Sequence, residues 1–419
     1  MTEQELRELL HEHAAADGVP GAALGLLQDG AEAHVWYGVA DARTGVPIDA
    51  DSRFSVGSLT KPMVATVVIR LAEEGRLSLD DPIARRVPEL RGVAWAERAT
   101  VRDLLANRSG LPLRSGLEFD FAARERDDGV LARLAARVAA EEPTTLDWSY
   151  TNVGWCLLGR AVENVAGTVW EDVMQSMLLG PAHMSRTAFG AGPRVAGHAL
   201  TADGPVPVEP LTARTYGPAG TTAVSPVGDL LRFAALHLGD PALATLREAQ
   251  PSPRIHGWFD GWCLGWACFN WDGGRVWGWD SVVSGERAFL RLFPEQHGAI
   301  VLMTNGENGR ALYRSLFPEL MRSHFELGVP PLQLDARPGV AGDLSRFAGV
   351  YAWPDRRIEV VATDSCLLTQ GGTEALPLDA CTFLVDRTDH DNPTITFGSF
   401  DATGRPRVLY AMLWGLPRE

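Results

Sequence analysis

The sequence predicts an α/β protein whose strands are split by a helical insertion and followed by a small β module. Near the start, "GAALGLLQDG" and "EAHVWYGVAD" are short apolar runs around Asp29-Gly30, a turn signal, and read as a hairpin. From about Leu77 to Val195 the apolar periodicity is mostly helical. Strand patterns then return, and beyond residue 341 only short strands are expected.

The elements follow in order. "MTEQELRELLHEHAAADG" is a polar amphipathic helix. A helix that starts around Ser58 runs through "MVATVVIRLAEEG" and stops at Gly75. The insertion, about 77–210, carries "TVRDLLANRSG", "DGVLARLAARVAAEEP", "GWCLLGRAVENVAG" and "VWEDVMQSMLLGPAHM". "SPVGDLLRFAALHLG" is a further amphipathic helix, on which Asp229 and Arg232 read as a solvated face. Strands resume in "GWCLGWACFNWDGG", "RVWGWDSVV", "ERAFLRLFPE" and "GAIVLMTNG", and "GRALYRSLFPELMRSHFELG" is the last helix. Residues 1–328 thus form the expected main domain, "VPPLQLDARPGV" (329–340) a linker, and 341–419 the β module.

Composition excludes several classes. The net charge of −15 argues against nucleic acid or an anionic membrane as partner. No apolar run approaches the roughly 20 residues of a membrane span. The first residues lack the basic start, apolar block and cleavage site of a secretion signal, so a cytoplasmic location is expected. The cysteines, Cys156, Cys263, Cys268, Cys366 and Cys381, are odd in number and form no CxxC pair, so they are expected to be reduced. No ligand cluster suggests a metal, and no cofactor is expected.

One residue stands out. Of 38 Lys plus Arg, Lys61 is the only lysine. Arginine serves most surface tasks of lysine, but its guanidinium cannot accept a proton at ordinary pH. Lysine can, once burial or a nearby cation lowers its pKa. Ser58 lies three residues earlier, on the same helical face. A serine hydroxyl is a weak nucleophile until a base takes its proton. A helix entrance also offers free N–H groups to a developing oxyanion.

Further stretches accompany this pair: "WSYTNVGWCLLGRAVENVAG" with Tyr150 and Asn152 before a helix, "TVRDLLANRSGLP", and the Gly-rich "GPAGTTAVSPVGDLLRFAAL". In this order, S-x-x-K and Y-x-N with their flanks resemble the serine β-lactamase-like superfamily over roughly residues 5–325. That group includes class C β-lactamases, D-alanyl-D-alanine carboxypeptidases, family VIII esterases and related acyltransferases. The resemblance implies a β-lactamase/transpeptidase-like fold, an antiparallel sheet flanked by helices with a mostly helical inserted domain. "FAGVY" makes the last module similar to the lipocalin-like domain appended to some members.

The resemblance implies roles. Ser58 would be the acylated nucleophile, Lys61 and Tyr150 would share proton transfer, and Asn152 would orient Lys61 and bind a substrate amide or carbonyl. The third motif departs from the family's basic residue, small polar residue and glycine. Within "GWDSVVSGERAFLRLFP" it has Trp279, Asp280 and Ser281, with Val282 to supply a second oxyanion N–H. Trp279 offers no charge, and Asp280 would repel a carboxylate if it faces the cleft. "LLANRSGLP" also puts Asn107 and Arg108 where His and Thr are common.

Six of the thirteen tryptophans lie between Trp258 and Trp279. Strand packing suffices for Trp262, Trp266 and Trp277, and an aromatic wall beside the cleft is the functional alternative. The expected activity is acyl transfer or hydrolysis on a small neutral ester or thioester, in specialised natural-product metabolism. Its partners are a small-molecule acyl donor and acceptor. A D-amino-acid peptidase or amidohydrolase, or a peptide-cyclising thioesterase of the penicillin-binding type, is the alternative. A β-lactamase or a non-catalytic binding protein ranks lower.

Overall fold

A computed structural model describes residues 2–111, 128–144, 146–190, 192–353 and 356–419. Residues 112–127 of the insertion, with Pro112 of "LLANRSGLP", lie outside them. Helix α1 (Glu3–Ala16) opens on a capping box: the Thr2 hydroxyl accepts the Glu5 N–H, and the Glu5 carboxylate accepts the Thr2 N–H. Strands β1 (Gly21–Gln28) and β2 (Ala31–Asp41) form the expected hairpin. Asp29 and Gly30 turn it at φ 50° and 81°, the positive pair that matches strand twist.

That hairpin belongs to an eight-stranded antiparallel sheet. Its other strands are β3 (Val46–Pro47), β4 (Gly261–Trp262), β5 (Ala267–Trp271), β6 (Gly274–Val283), β7 (Glu286–Phe293) and β8 (Gly298–Thr304). The order is β3-β2-β1-β8-β7-β6-β5-β4. The N-terminal hairpin therefore pairs directly with β8, Leu24 opposite Leu302. The chain between β3 and β4 is an excursion from this sheet. It contributes α2 (Thr60–Glu73), α3 (Asn152–Ala166) and α4 (Val227–Gly239).

Helices flank the sheet. Val227 and Leu231 of α4 pack on Gly25, where a Cβ would meet both at 2.9 Å or less. Helix α5 (Gly309–Phe325) and α1 pack on the sheet and on each other, and Ser315 of α5 donates to Asp17 at 2.6 Å. Asp229 is not on a solvated face. It is fully buried in the first turn of α4 and accepts the N–H groups of Arg186 and Thr187. Arg232 pairs with its other oxygen at 2.6 Å. The reason is not local in sequence: a loop about forty residues upstream turns the N–H groups of Arg186 and Thr187 toward α4, and a buried carboxylate accepts both.

The last module is an eight-stranded meander in chain order. Its strands are β9 (Gly349–Trp353), β10 (Arg356–Ala362), β11 (Leu367–Thr369), β12 (Thr373–Pro377), β13 (Thr382–Leu384), β14 (Thr394–Phe400), β15 (Pro406–Ala411) and β16 (Trp414–Pro417). Tyr351 bridges to Arg418, and the Glu419 N–H donates to Val350 at 2.9 Å. The first and last strands therefore meet in a nearly closed barrel around Phe347, Tyr351, Phe383 and Phe397.

The barrel docks on the main domain through several polar contacts, Thr394 to the His256 carbonyl among them. Tyr410 donates to the Trp148 carbonyl, and the Gly415 N–H donates to Ser149 Oγ, both at 3.2 Å. Elsewhere, Asp391 takes Arg287 and Arg310, each at 2.8 Å.

Candidate active site

The segment that carries Ser58 starts at the short strand Phe54–Ser55, which pairs with Ala223–Ser225. A tight 3-10 turn over Gly57–Leu59 follows, and α2 opens only at Thr60. Ser58 thus stands in the turn just before the helix, slightly upstream of the helix start expected there. Pro62 falls in the first turn of α2, where its missing N–H costs little.

Lys61 is fully buried. Its Nζ donates to Ser58 Oγ at 3.2 Å and to the Ala219 carbonyl at 2.6 Å. Ala219 reaches it because the Gly-rich loop presses onto the nucleophile turn. Gly220 has φ 124°, and a Cβ there would lie 2.2 Å from the Gly57 oxygen. Only glycine permits that approach.

Tyr150 completes a three-way contact. Its hydroxyl donates to Ser58 Oγ at 3.0 Å, and Lys61 Nζ lies 4.8 Å from its ring centroid. Burial pushes the Tyr150 pKa well above the ordinary tyrosine value, against smaller opposing effects of Ser58 and Trp279. The phenol is therefore neutral at rest. Asn152 is the first residue of α3, with Thr151 as the cap that accepts the Gly154 N–H at 3.1 Å. It is half-buried, and no hydrogen bond joins its carboxamide to Lys61 among the described residues.

Asn107 holds the tyrosine segment. It adopts φ 56°, which asparagine tolerates better than most residues. Its carbonyl accepts the Ser149 N–H at 3.0 Å. Its Oδ1 accepts Trp155 Nε1–H at 3.1 Å and, more loosely, the Thr151 N–H at 3.5 Å. Both neighbours of Tyr150 are thereby tied to one side chain and its backbone. The sequence marks Asn107 only as a departure from a motif, because the partners it holds lie more than forty positions downstream.

The third motif lies on β6, where side chains alternate between faces. Trp279 and Ser281 point toward the nucleophile turn, and Ser281 Oγ accepts the Ser58 N–H at 3.2 Å. Asp280 corrects an expectation. Its side chain does not face the cleft but is sealed on the other side, 2.6 Å from Arg291 and 2.7 Å from Arg310. Both cations hold its pKa below the usual value despite full burial. It presents no charge to a substrate. The Val282 side chain is exposed.

Five of the six clustered tryptophans are buried, and Trp277 is half-buried. Trp279 packs on Tyr150 with centroids 5.5 Å apart and edge-on to Trp262 at 4.6 Å. Trp258 and Phe259 extend the cluster. Trp258, Trp262 and Trp279 are therefore core that braces Tyr150, while Trp266 and Trp271 pack elsewhere, on Phe233 and Phe293.

Residues 6–324 match the family described as Beta-lactamase. The chain belongs to this family. Penicillin-binding protein 4 of Amycolatopsis lactamdurans is 31% identical over 359 residues, covering 80% of this chain and 93% of that protein. The crystal structure of SurE matches with a TM-score of 0.79 at 27% identity, over 100% of this chain and 99% of that one. The D-amino acid amidase of Ochrobactrum anthropi SV3, solved with L-phenylalanine amide, matches with a TM-score of 0.65 at 20% identity. It covers 76% of this chain and 98% of its own, and supports the fold alone.

As a β-lactamase-family protein, the chain is a serine hydrolase or acyltransferase, with the antiparallel sheet and helices that the sequence implied. One hydroxyl with two proton-handling groups on it is suited to nucleophilic acyl chemistry. Among the described residues, no cluster of three or more His, Cys, Asp or Glu could hold a metal ion. None of the helices described is long and apolar enough to cross a membrane.

Proposed function

We propose that Ser58 is the acylated nucleophile of an esterase or acyltransferase. It would take an acyl group from a small neutral ester or thioester and pass it to an alcohol, an amine or water. The observation that carries this is the convergence of Lys61 Nζ and Tyr150 Oη on Ser58 Oγ, at 3.2 and 3.0 Å. Burial keeps Tyr150 protonated, which leaves the base role to Lys61: once neutral and turned from donor to acceptor toward Ser58, its amine takes the Ser58 proton as Oγ attacks the acyl carbon. Tyr150 then hands its proton to the departing alkoxide or thiolate and regains one from Lys61. The acceptor discharges the acyl-enzyme by the reverse route.

Trp279 supports a neutral substrate. It stands where a basic residue would meet a carboxylate, and it is 1% exposed in an aromatic cluster. A second reading has its own support. SurE has been solved with D-Leu and matches this chain along its whole length, barrel included. The acyl donor would then be a peptidyl ester or thioester with a D-residue near the reacting carbonyl. A role in specialised natural-product metabolism fits either donor.

Intact-protein mass after mixing with activated esters and peptidyl thioesters tests both. An adduct that Ser58→Ala abolishes supports the nucleophile. Turnover that survives Ser58→Ala would sink the proposal. Discharge by added amines or alcohols, faster than by water, identifies a transferase. A preference for D- over L-residues in the peptidyl series selects the second reading.

A further inference from the structure

With Ser58 as nucleophile, its own N–H is a candidate donor to the oxyanion, yet it already has a partner. It donates to Ser281 Oγ at 3.2 Å. Ser281 is 1% exposed, and Gly57 makes the contact possible. A Cβ on Gly57 would fall 1.8 Å from Ser281 Oγ. A hydroxyl carries one proton and accepts twice. Among the described residues, Ser281 Oγ accepts this one bond and donates none. Its proton is free for an incoming oxygen.

The strand adds a second donor beside it. Ser284 and Gly285, both at positive φ, form a two-residue turn that makes Val283 and Glu286 its closing bonded pair. Alternation then commits the Ser281 backbone to Ala288 and turns the Val282 N–H to the other edge. Strand β5 pairs with β6 only as far as Gly278, so it leaves that edge uncovered.

On the assignment of Ser58 as nucleophile, we propose that Ser281 is a catalytic member of the oxyanion hole. Its hydroxyl accepts the Ser58 N–H and donates to the acyl oxygen, next to the Val282 N–H. When Ser58 Oγ bonds to the acyl carbon, the C=O electron pair moves onto oxygen. That oxygen takes bonds from Ser281 O–H and Val282 N–H. When the C=O re-forms, the alkoxide or thiolate leaves with a proton from Tyr150. The bond from the Ser58 N–H polarises the Ser281 O–H, so the relay strengthens the donor that meets the charge. Glycine at this position would bare the Ser58 N–H directly; serine sets the hole outward by one hydroxyl.

The test is the rate of Ser58 acylation by p-nitrophenyl butyrate, read as the nitrophenol burst and as intact mass. It compares wild type, Ser281→Ala, Ser281→Gly and Ser58→Ala. Loss of one oxyanion donor costs about 10²–10³-fold in rate. Ser281→Ala is expected to acylate ~10²-fold more slowly, with KM little changed. Its affinity for butylboronic acid, a tetrahedral analogue, should fall in parallel, which a merely structural role would not produce. Ser281→Gly is expected to be slower than wild type as well. Either variant acylating as fast as wild type, or faster, overturns the proposal, because the hydroxyl would then only cover the hole. If wild type is not acylated, or Ser58→Ala still is, the nucleophile assignment fails first and this inference with it.

Discussion

The Leu413 carbonyl accepts the backbone N–H of Tyr150 at 3.2 Å. A loop of the C-terminal barrel thus grips the residue that donates to Ser58 Oγ. Asn107 holds the same segment from the opposite side, through Ser149 and Thr151. The barrel is part of what fixes the placement of Tyr150 beside Ser58, although it lies outside the matched family region.

Tyr150→Phe separates chemistry from packing. The ring keeps its contacts with Trp279 and Trp262, and only the hydroxyl goes. Positioned acid–base groups contribute about 10²–10⁴-fold. The acylation burst is expected to slow within that range, with the melting temperature changed little. An unaltered burst would remove Tyr150 from the proton path.

Asn107→Ala should disturb Tyr150 without touching Ser58. The change removes the acceptor of Trp155 Nε1–H and leaves a β-carbon at φ 56° without asparagine's local bonding. A buried donor left unpaired costs about 1–3 kcal/mol. Asn107→Gly relieves the backbone and still lacks the carboxamide. Chemical denaturation should rank wild type above Asn107→Gly and Asn107→Gly above Asn107→Ala. Acylation should fall in both variants, because both free the Tyr150 segment. Full activity in Asn107→Gly would reduce Asn107 to a turn former.

Asp391 links the barrel to the third motif. It bridges Arg287 and Arg310, and Arg310 continues to Asp280 on β6. Asp391→Ala leaves Arg287 without its carboxylate partner, and breaking a buried pair from one side costs about 3–5 kcal/mol. Differential scanning calorimetry should show a clear fall in melting temperature. A melt equal to wild type would mean that the Asp391 pairs do not hold the barrel.

What the sequence disclosed follows from the range of each contact. Ser58 and Lys61 were legible because three residues on a helical path fix their relation locally. The hairpin at Asp29-Gly30 was legible for the same reason. Ser281 was named, but its bond to the Ser58 N–H was hidden, because the two are 223 positions apart. Asp280 was misplaced although a signal existed. Strand alternation puts it opposite Trp279 and Ser281, and Arg291 within the apolar run "ERAFLRLF" needs a buried anion. Asp229 failed similarly: its partners sit on a loop about forty residues upstream, beyond any helical period.

Glu286 should give the fold a pH signature. It is buried, and burial raises its pKa from 4.5 to about 7, opposed by the Ser55 N–H that it accepts at 2.7 Å and by Arg194. A raised carboxyl binds its proton more tightly in the folded than in the unfolded state. Between pH 4.5 and 7 the folded protein holds a proton that the unfolded chain has lost, so stability falls as pH rises through this window. At about 1.4 kcal/mol per unit, the full loss is about 3 kcal/mol. Glu286→Gln keeps an acceptor for Ser55 and cannot ionise. Urea unfolding at pH 5 and pH 8 should show wild type losing stability relative to the variant at the higher pH. Ser55 lies three residues before Ser58, so ionisation of Glu286 acts on the strand that leads into the nucleophile turn. Parallel pH dependences of the two proteins would show that Glu286 does not titrate in this range.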